Sequence, residues 1–444
     1  MSISTTPTFP TLDNWLSHLE SAHPVGIDMG LQRIRLVRDA MHEGDGLRFD
    51  CPVITVGGTN GKGSTCTLLE SMLLAAGYKV CCHTSPHLLH FNERARVNGE
   101  SATDAALLPH FEAVEQARKR LATPVSLTYF EFTLLAILDL FAATKPDVVI
   151  LEVGLGGRLD ATNIIDADVA VITSVDIDHT QYLGTTREAI GLEKAGIFRA
   201  GRPAIIGDPL PPESLLRYGD SLGADLWLVG KDFRYETIEG DRQQWSYLGR
   251  AQNRRSLAFP ALRGANQLLN TSAALAALEA LRDRLPVNAQ AVREGLATVE
   301  LPGRFQVLAG RPTVILDVAH NPHAAAVLAQ NLGSMGYFPF TYAVFGAMDD
   351  KDIEQIVTTM KGDIDHWNVT ALPTPRAASA ERLATVVREL TGSETTEHTV
   401  KAFDSPEAAF ADAIGRVTES DRIVVFGSFV TVAEVMAYRR RQQH

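Results

Sequence analysis

The chain has 444 residues, more than one hydrophobic core ordinarily organises, so two domains are the starting expectation. Apolar residues make up 45% and charged residues 21%, which is the make-up of a folded protein and excludes a disordered one. The formal charge of −12 speaks against a nucleic-acid partner, because phosphate-backbone binding draws on clustered Lys and Arg. The basic clusters present, Arg118-Lys119-Arg120, Arg254-Arg255 and Arg439-Arg440-Arg441, are short and read as solvated charge.

The opening stretch, MSISTTPTFPTLDNW, lacks the charged and apolar regions of a secretory signal, and no later run has the apolar length of a membrane span. A cytoplasmic protein with no membrane partner is expected. Cys51, Cys66, Cys81 and Cys82 form no C-x-x-C pair and read as reduced, mostly buried thiols. Apolar runs bounded by turn residues then alternate with helical patterns, the signature of parallel sheets covered by helices. Strands are expected at 53–56, 80–83, 148–153, 169–175 and 204–206. From 208 to 261 the pattern weakens into polar, aromatic-spotted sequence, expected to hold a small antiparallel sheet. An alanine- and leucine-rich helix follows at 266–281, and Leu301-Pro302-Gly303 reads as a break. A second alternation has strands at 313–318, 342–345 and 422–426, with helices starting near Pro322 and Asp352. The fold class is therefore α/β: residues 1–300 form a nucleotide-binding domain on a mostly parallel sheet, and 301–444 a smaller Rossmann-like α/β domain.

The first strand runs directly into Gly57-Gly58-Thr59-Asn60-Gly61-Lys62-Gly63-Ser64, and a helix containing Leu68, Leu69, Met72 and Leu73 follows until Gly77. Strand, glycine-rich turn and helix N-terminus is the arrangement in which backbone N–H groups and the helix dipole meet a phosphate. Lys62 can reach the β- and γ-phosphates, and Ser64 or Thr65 can offer a hydroxyl to phosphate or metal. Gly63 between Lys62 and Ser64 departs from the usual P-loop spacing. Glu152 closes an apolar strand, so its carboxylate should emerge at the strand's C-terminal end beside this loop, where open α/β sheets bind ligands. Magnesium suits such a place, since it takes hard oxygen ligands and keeps waters. Gly154-Leu155-Gly156-Gly157 superficially suggests a dinucleotide fingerprint, but the third glycine is misplaced and 159–163 opens no convincing helix, so a flexible loop is the better reading. Taken alone, Lys194 reads as a surface lysine and His179 as a satisfied polar histidine.

The GTNGKGS loop resembles that of the Mur ligase superfamily, and more closely its folylpolyglutamate and dihydrofolate synthase branch. The resemblance continues in Thr84-Ser85-Pro86-His87, Phe91-Asn92-Glu93-Arg94, the run from Leu151 to Asn163 (LEVGLGGRLDATN), Asp178-His179-Thr180, Glu193-Lys194-Ala195-Gly196, Leu301-Pro302-Gly303-Arg304 and Asp317-Val318-Ala319-His320-Asn321, in the family's order.

The resemblance implies ATP and two magnesium sites, and allows a monovalent cation. It assigns Ser85, Glu152 and His179 to metal, with Lys194 carbamylated so that an ammonium becomes an anionic oxygen ligand and, with His179, binds the second metal. Thr59, Asn60, Gly61, Lys62, Gly63 and Ser64 would hold phosphates; Asn270 the nucleotide's polar edges; Arg304 and His320 phosphate charge; Asp317 the adenosine. Lys62, His179, Lys194 and His320 would be the catalytic set. Ile27, Asp28, Met29 and Gly30, with Thr128, Tyr129, Phe130, Leu159, Asp160 and Ala161, would hold dihydropteroate, the aromatic rings suiting a flat pterin and Asp160 its guanidine-like edge. The implied activity joins L-glutamate to dihydropteroate and to reduced folates through an acyl phosphate, with glutamate docking on the second domain near Ser428. A monomer is expected.

Two other readings compete. A murein-type amino-acid ligase would need a further N-terminal domain for its uridine nucleotide, and about fifty residues precede the loop. A nucleotide-driven switch without ligation would not need Lys194, the metal set or a second α/β domain.

Overall fold

The computed structural model describes residues 8–42, 46–123, 125–237, 244–392 and 398–442; part of the opening stretch read above for a signal lies outside them. Two compact units result. One comprises Met1–His87, Phe91–Pro260 and Leu268–Val299, the other Leu88–His90, Ala261–Gln267 and Glu300–His444.

The first unit is built on eight strands: β1 (Val53–Gly57), β2 (Val80–His83), β3 (Ala95–Val97), β4 (Glu100–Ser101), β5 (Val148–Glu152), β6 (Val169–Ile172), β7 (Pro203–Ile206) and β8 (Asp225–Leu228). Their order is β4-β3-β2-β5-β1-β6-β7-β8. Pairing is parallel from β2 to β8, and β3 with β4 hangs on one edge as an antiparallel hairpin. β1 and β5 are buried at every position, as continuous apolar runs must be when helices cover both faces. Helices α1 (Leu12–Leu19), α2 (Gln32–Ala40), α3 (Lys62–Ala75), α4 (Asp104–Arg120) and α5 (Tyr129–Thr144) come first, then α6 (Thr180–Leu183) and α7 (Arg187–Ala195). Trp15, Ile34, Phe111, Phe132 and Leu151 join α1, α2, α4 and α5 to the sheet in one core; Ile172, Ile190, Phe198 and Leu215 centre another.

The stretch 208–261 does contain an antiparallel sheet, β9 (Arg234–Thr237), β10 (Gln244–Leu248) and β11 (Asn253–Ala258), pinned by buried Trp245 and Tyr247. It also holds a helix, Glu213–Leu222, and β8, which the sequence reading missed: an edge strand of four residues shows too little alternation to stand out.

The second unit carries β12 (Gln306–Leu308), β13 (Thr313–Leu316), β14 (Thr341–Phe345), β15 (His366–Thr370), β16 (Thr399–Phe403) and β17 (Arg422–Phe426) in the order β12-β13-β17-β14-β15-β16, parallel except for β12. β15 and β16 were not expected. β15 buries polar His366 and Asn368, whose side chains bond Thr399 Oγ1 and the Ala409 carbonyl, so its burial does not register as apolar sequence. The helices expected near 322 and 352 are Pro322–Gly333, capped by Asn321, and Ile353–Met360, capped by Asp352.

Candidate active site

β1 delivers the chain to a turn that only glycine permits at two points. Gly58 has φ 145° and a Cβ there would run into Thr173 Oγ1; Gly61 has φ 87° and a Cβ would stand 2.5 Å from Asn270 Oδ1. The loop is clamped from the end of β6. Thr59 N donates to the Ser174 carbonyl (2.7 Å), Asn60 N to Ser174 Oγ (3.1 Å), and Thr173 Oγ1 to the Asn60 carbonyl (2.6 Å). Gly61 then opens α3, whose first turn presents its N–H groups at the helix N-terminus, the kind of place that can meet an anion. Lys62 Nζ rests on the carbonyls of Gly58 (3.0 Å) and Thr59 (3.2 Å), bonds it can exchange for phosphate oxygens.

Glu152 is the last residue of β5, 3% exposed, and in register with Val56 of β1. The backbone N–H of Ser85, just beyond β2, donates to Glu152 Oε2 at 2.9 Å. Ser85 and Glu152 are thus brought together at the carboxyl ends of neighbouring strands. Among the described residues no three His, Cys, Asp or Glu side chains converge as a metal cage. One carboxylate and one serine still fit magnesium, which is held in phosphate sites by one or two carboxylates together with substrate oxygens and waters.

Lys194 is not the surface lysine that its sequence suggested. It sits in the last turn of α7, 3% exposed, and burial pushes its pKa down to about 7, with Lys62 adding repulsion and Asp178 and Asp160 pulling the other way. An amine that is neutral near pH 7 can attack carbon dioxide, whereas an ammonium cannot. His179 takes a left-handed backbone (φ 51°), and its N–H donates to Asp178 Oδ1.

The segment 154–163 is not slack. Leu155 N donates to Asp160 Oδ2 (2.8 Å), Thr162 N and Oγ1 both donate to Asp160 Oδ1, and Arg158 N donates to the Glu193 carbonyl (2.7 Å) while its guanidinium pairs with Glu193 Oε1. Both Asp160 oxygens therefore already serve the loop, Oδ1 with two donors from Thr162 and Oδ2 with Leu155 N. A Cβ on Gly154 would meet the Phe130 ring, and one on Gly156 would lie 3.8 Å from Met29. Phe130 and Met29, far apart in sequence, thus border the loop that holds Asp160. Thr128 caps α5 in a reciprocal box with Glu131.

Sequence reasoning missed Arg33. Its Nη1 pairs with Asp28 Oδ2 (2.7 Å), and its Nη2 donates to the Asp28 carbonyl (2.8 Å) and to Glu131 Oε1 (3.2 Å). His23 Nε2 meets the same Asp28 oxygen at 3.2 Å and its Nδ1 lies 3.0 Å from Ser126 Oγ. No motif marks Arg33, and Asp28 five residues earlier is the only local hint. Thr173 and Ser174, which hold the phosphate loop, were equally silent.

In the second unit Phe305 N and Ala319 N donate to the two oxygens of Asp317, whose pKa burial raises to about 6 against the pull of Arg304. Arg304 stacks over Phe429 at 5.0 Å, and the His320 ring lies 6.1 Å from the same residue. Ser428 is buried, exchanging hydrogen bonds with Thr431.

The family model for the Mur ligase middle domain matches residues 56–278, and that for the Mur ligase glutamate ligase domain residues 303–429. The dihydrofolate synthase/folylpolyglutamate synthase of Escherichia coli is 43% identical over 438 residues, covering 98% of this chain and 97% of the relative. The chain belongs to the dihydrofolate synthase/folylpolyglutamate synthase family of Mur ligases. It is, accordingly, an ATP-dependent ligase. The Mycobacterium tuberculosis relative of the same name is 32% identical, covering 96% of this chain and 95% of its own. Escherichia coli FolC, solved in complex with DHPP and ADP, superposes with a TM-score of 0.91 at 41% identity, covering 99% of this chain and all of that one. A bifunctional folylpolyglutamate synthase/dihydrofolate synthase solved with Mn, AMPPNP and L-glutamate gives a TM-score of 0.86 at 40% identity, covering 98% of this chain and all of the other. The α/β architecture read from the sequence is that of these relatives.

Proposed function

We propose that the protein ligates L-glutamate both to dihydropteroate and to reduced folates, one active site serving the two acids. The observation that carries this reading is the convergence in the first unit of a phosphate loop, a buried carboxylate at a strand end and a neutral-prone lysine, beside the loop that holds Asp160 and is bordered by Met29 and Phe130. Relatives solved with ADP, with DHPP and with L-glutamate support nucleotide, pterin and amino-acid substrates for this chain, and the manganese-bound relative supports a divalent metal.

The acid's carboxylate attacks the γ-phosphate of ATP; the bond from that phosphorus to the bridging oxygen breaks, ADP leaves, and an acyl phosphate remains. The neutral glutamate amine then attacks the acyl carbon, the bond from that carbon to the phosphate oxygen breaks, and an amide forms as hydrogen phosphate departs with the proton the nitrogen has lost. Lys62, released from the Gly58 and Thr59 carbonyls, offsets the charge that spreads over the transferring phosphoryl oxygens. The α3 N-terminus holds the phosphates in line, so positioning supplies most of the acceleration. Ser85 and Glu152 would hold magnesium, which when bound neutralises phosphate charge. His179 and carbamylated Lys194 would hold a second. Asn270, against Gly61, contributes to the nucleotide site; on the second unit, Arg304, Asp317 and His320 are the candidate nucleotide contacts and glutamate is the candidate ligand.

Purified protein with ATP, magnesium and glutamate should release ADP on addition of dihydropteroate and, separately, of tetrahydrofolate. Release with tetrahydrofolate alone at saturating concentrations would reduce the activity to elongation; release with dihydropteroate alone would leave only the synthase.

A further inference from the structure

We infer that Arg33 is a positioning residue for the pterin acid, holding the 27–30 segment against the start of α5 and thereby setting the preference for dihydropteroate over folates awaiting elongation. The inference rests on the reading of Ile27, Asp28, Met29 and Gly30 as part of the dihydropteroate site.

That segment has no regular secondary structure of its own, and Ile27 and Gly30 find little to pack on: Ile27 is 36% exposed and a Cβ on Gly30 would meet nothing within 4 Å. Met29 packs on the core centred on Ile172 and Ile190, and polar contacts must fix the rest. Arg33, in the first turn of α2, does so with one planar fork. Nη1 takes the Asp28 carboxylate, and Nη2 takes both the Asp28 carbonyl and the carboxylate of Glu131. Glu131 is anchored in turn, because it is 3% exposed and its other oxygen accepts from Thr128 N at 2.8 Å in the cap of α5. The same cap precedes Tyr129 and Phe130. A second bridge, Ser126 to His23 to Asp28, runs alongside. The chain of contacts thus couples the segment before the phosphate loop to the residues that start α5, two stretches about a hundred positions apart. A loop already ordered spares the ligand the entropic cost of ordering it, so the effect belongs to binding rather than to the chemical step. The contacts of the Arg33 fork are to Asp28 and Glu131, so its effect is exerted through them.

The test is steady-state kinetics of the full-length enzyme with saturating ATP and glutamate, alongside thermal melting. Arg33→Gln should raise KM for dihydropteroate about ten- to fiftyfold, the loss expected for charge-assisted hydrogen bonds, with kcat within about threefold. KM for tetrahydrofolate should move less than about threefold. Arg33→Lys should behave almost as badly, since a single ammonium nitrogen cannot reproduce the two-nitrogen fork that spans Asp28 and Glu131. Glu131→Gln keeps the helix cap, which glutamine also satisfies, but loses the charge facing Arg33; a severalfold rise in dihydropteroate KM alone is expected, and this variant decides the matter if Arg33→Gln fails to fold. Equal losses on both acids with a lowered melting temperature would make Arg33 a strut for the fold and overturn the proposal, as would unchanged kinetics. A wild-type enzyme inert toward dihydropteroate would overturn the underlying reading as well, and shows itself before any variant is made.

Discussion

Lys62 contributes little to folding. Its ammonium rests on two carbonyls of its own loop, and a group so placed can be removed without leaving a hole in the core. Lys62→Ala should lower kcat/KM by about a hundred- to a thousandfold while the melting curve stays put; near-normal turnover would discredit the phosphate-loop assignment. Lys194 behaves in the opposite way. Burial lowers its pKa from 10.5 to about 7, so between those values the unfolded chain holds a proton that the folded chain has shed. By linkage the bare lysine destabilises the fold progressively as pH falls from 10.5 to 7, and no further below that. Carbamate formation joins the neutral amine to carbon dioxide and releases a proton, so its extent should grow as pH rises through about 7. In 13C-bicarbonate the carbamate resonance should therefore strengthen from pH 6 to 8 and vanish in Lys194→Met, and enzyme stripped of carbon dioxide should recover activity on adding bicarbonate. Full activity at pH 8 with no such resonance would contradict it.

Among elements, the junction of β1, the glycine turn and α3 is the most demanding. Gly61 needs a left-handed backbone and close approach to Asn270, so Gly61→Ala meets two penalties. The left-handed conformation costs an alanine about 1–2 kcal/mol, and relieving the contact adds to it. We expect stability lower by about 1–3 kcal/mol in urea titration and an ATP KM raised at least about tenfold, because the turn that presents the helix N-terminus is displaced. Unchanged ATP binding would show that the turn tolerates a Cβ after all. β5 illustrates the reverse: at its end Glu152 Oε2 already accepts from the Ser85 N–H. Chelation should accordingly abolish ADP release yet shift the nucleotide-free melting temperature by less than about 2 °C, whereas magnesium with ATP should raise it by mass action. A large loss of stability on chelation would make the metal structural.

At the scale of the molecule, each unit has its own hydrophobic core. The two clusters of the second unit draw on residues from Phe305 to Tyr438, with Leu88, among the described residues, a partly buried contribution from far outside that range. A fragment of residues 300–444 should therefore melt cooperatively by circular dichroism while carrying no ligase activity, the phosphate loop being absent. A fragment with no cooperative transition would mean that the unit depends on the rest of the chain.

Sequence alone determined the elements whose physics is local. β2 and β17 fall at 80–83 and 422–426, where they were expected, because an apolar run between turn signals needs no partner to be read. The phosphate loop was legible for the same reason, since strand, glycines, lysine and helix are contiguous. Strands whose burial is polar, such as β15, and the short edge strand β8 were not, since their burial depends on neighbours remote in sequence. The same division runs through the site. Glu152 could be placed at a strand end, and the family resemblance named Lys194, but only the tertiary structure buries that lysine beneath the 154–163 loop and so lowers its pKa. Arg33 shows the limit most plainly: its partner Glu131 lies 98 positions away, and pairing over such a distance is set by how α2 and α5 pack, which no spacing along the chain records.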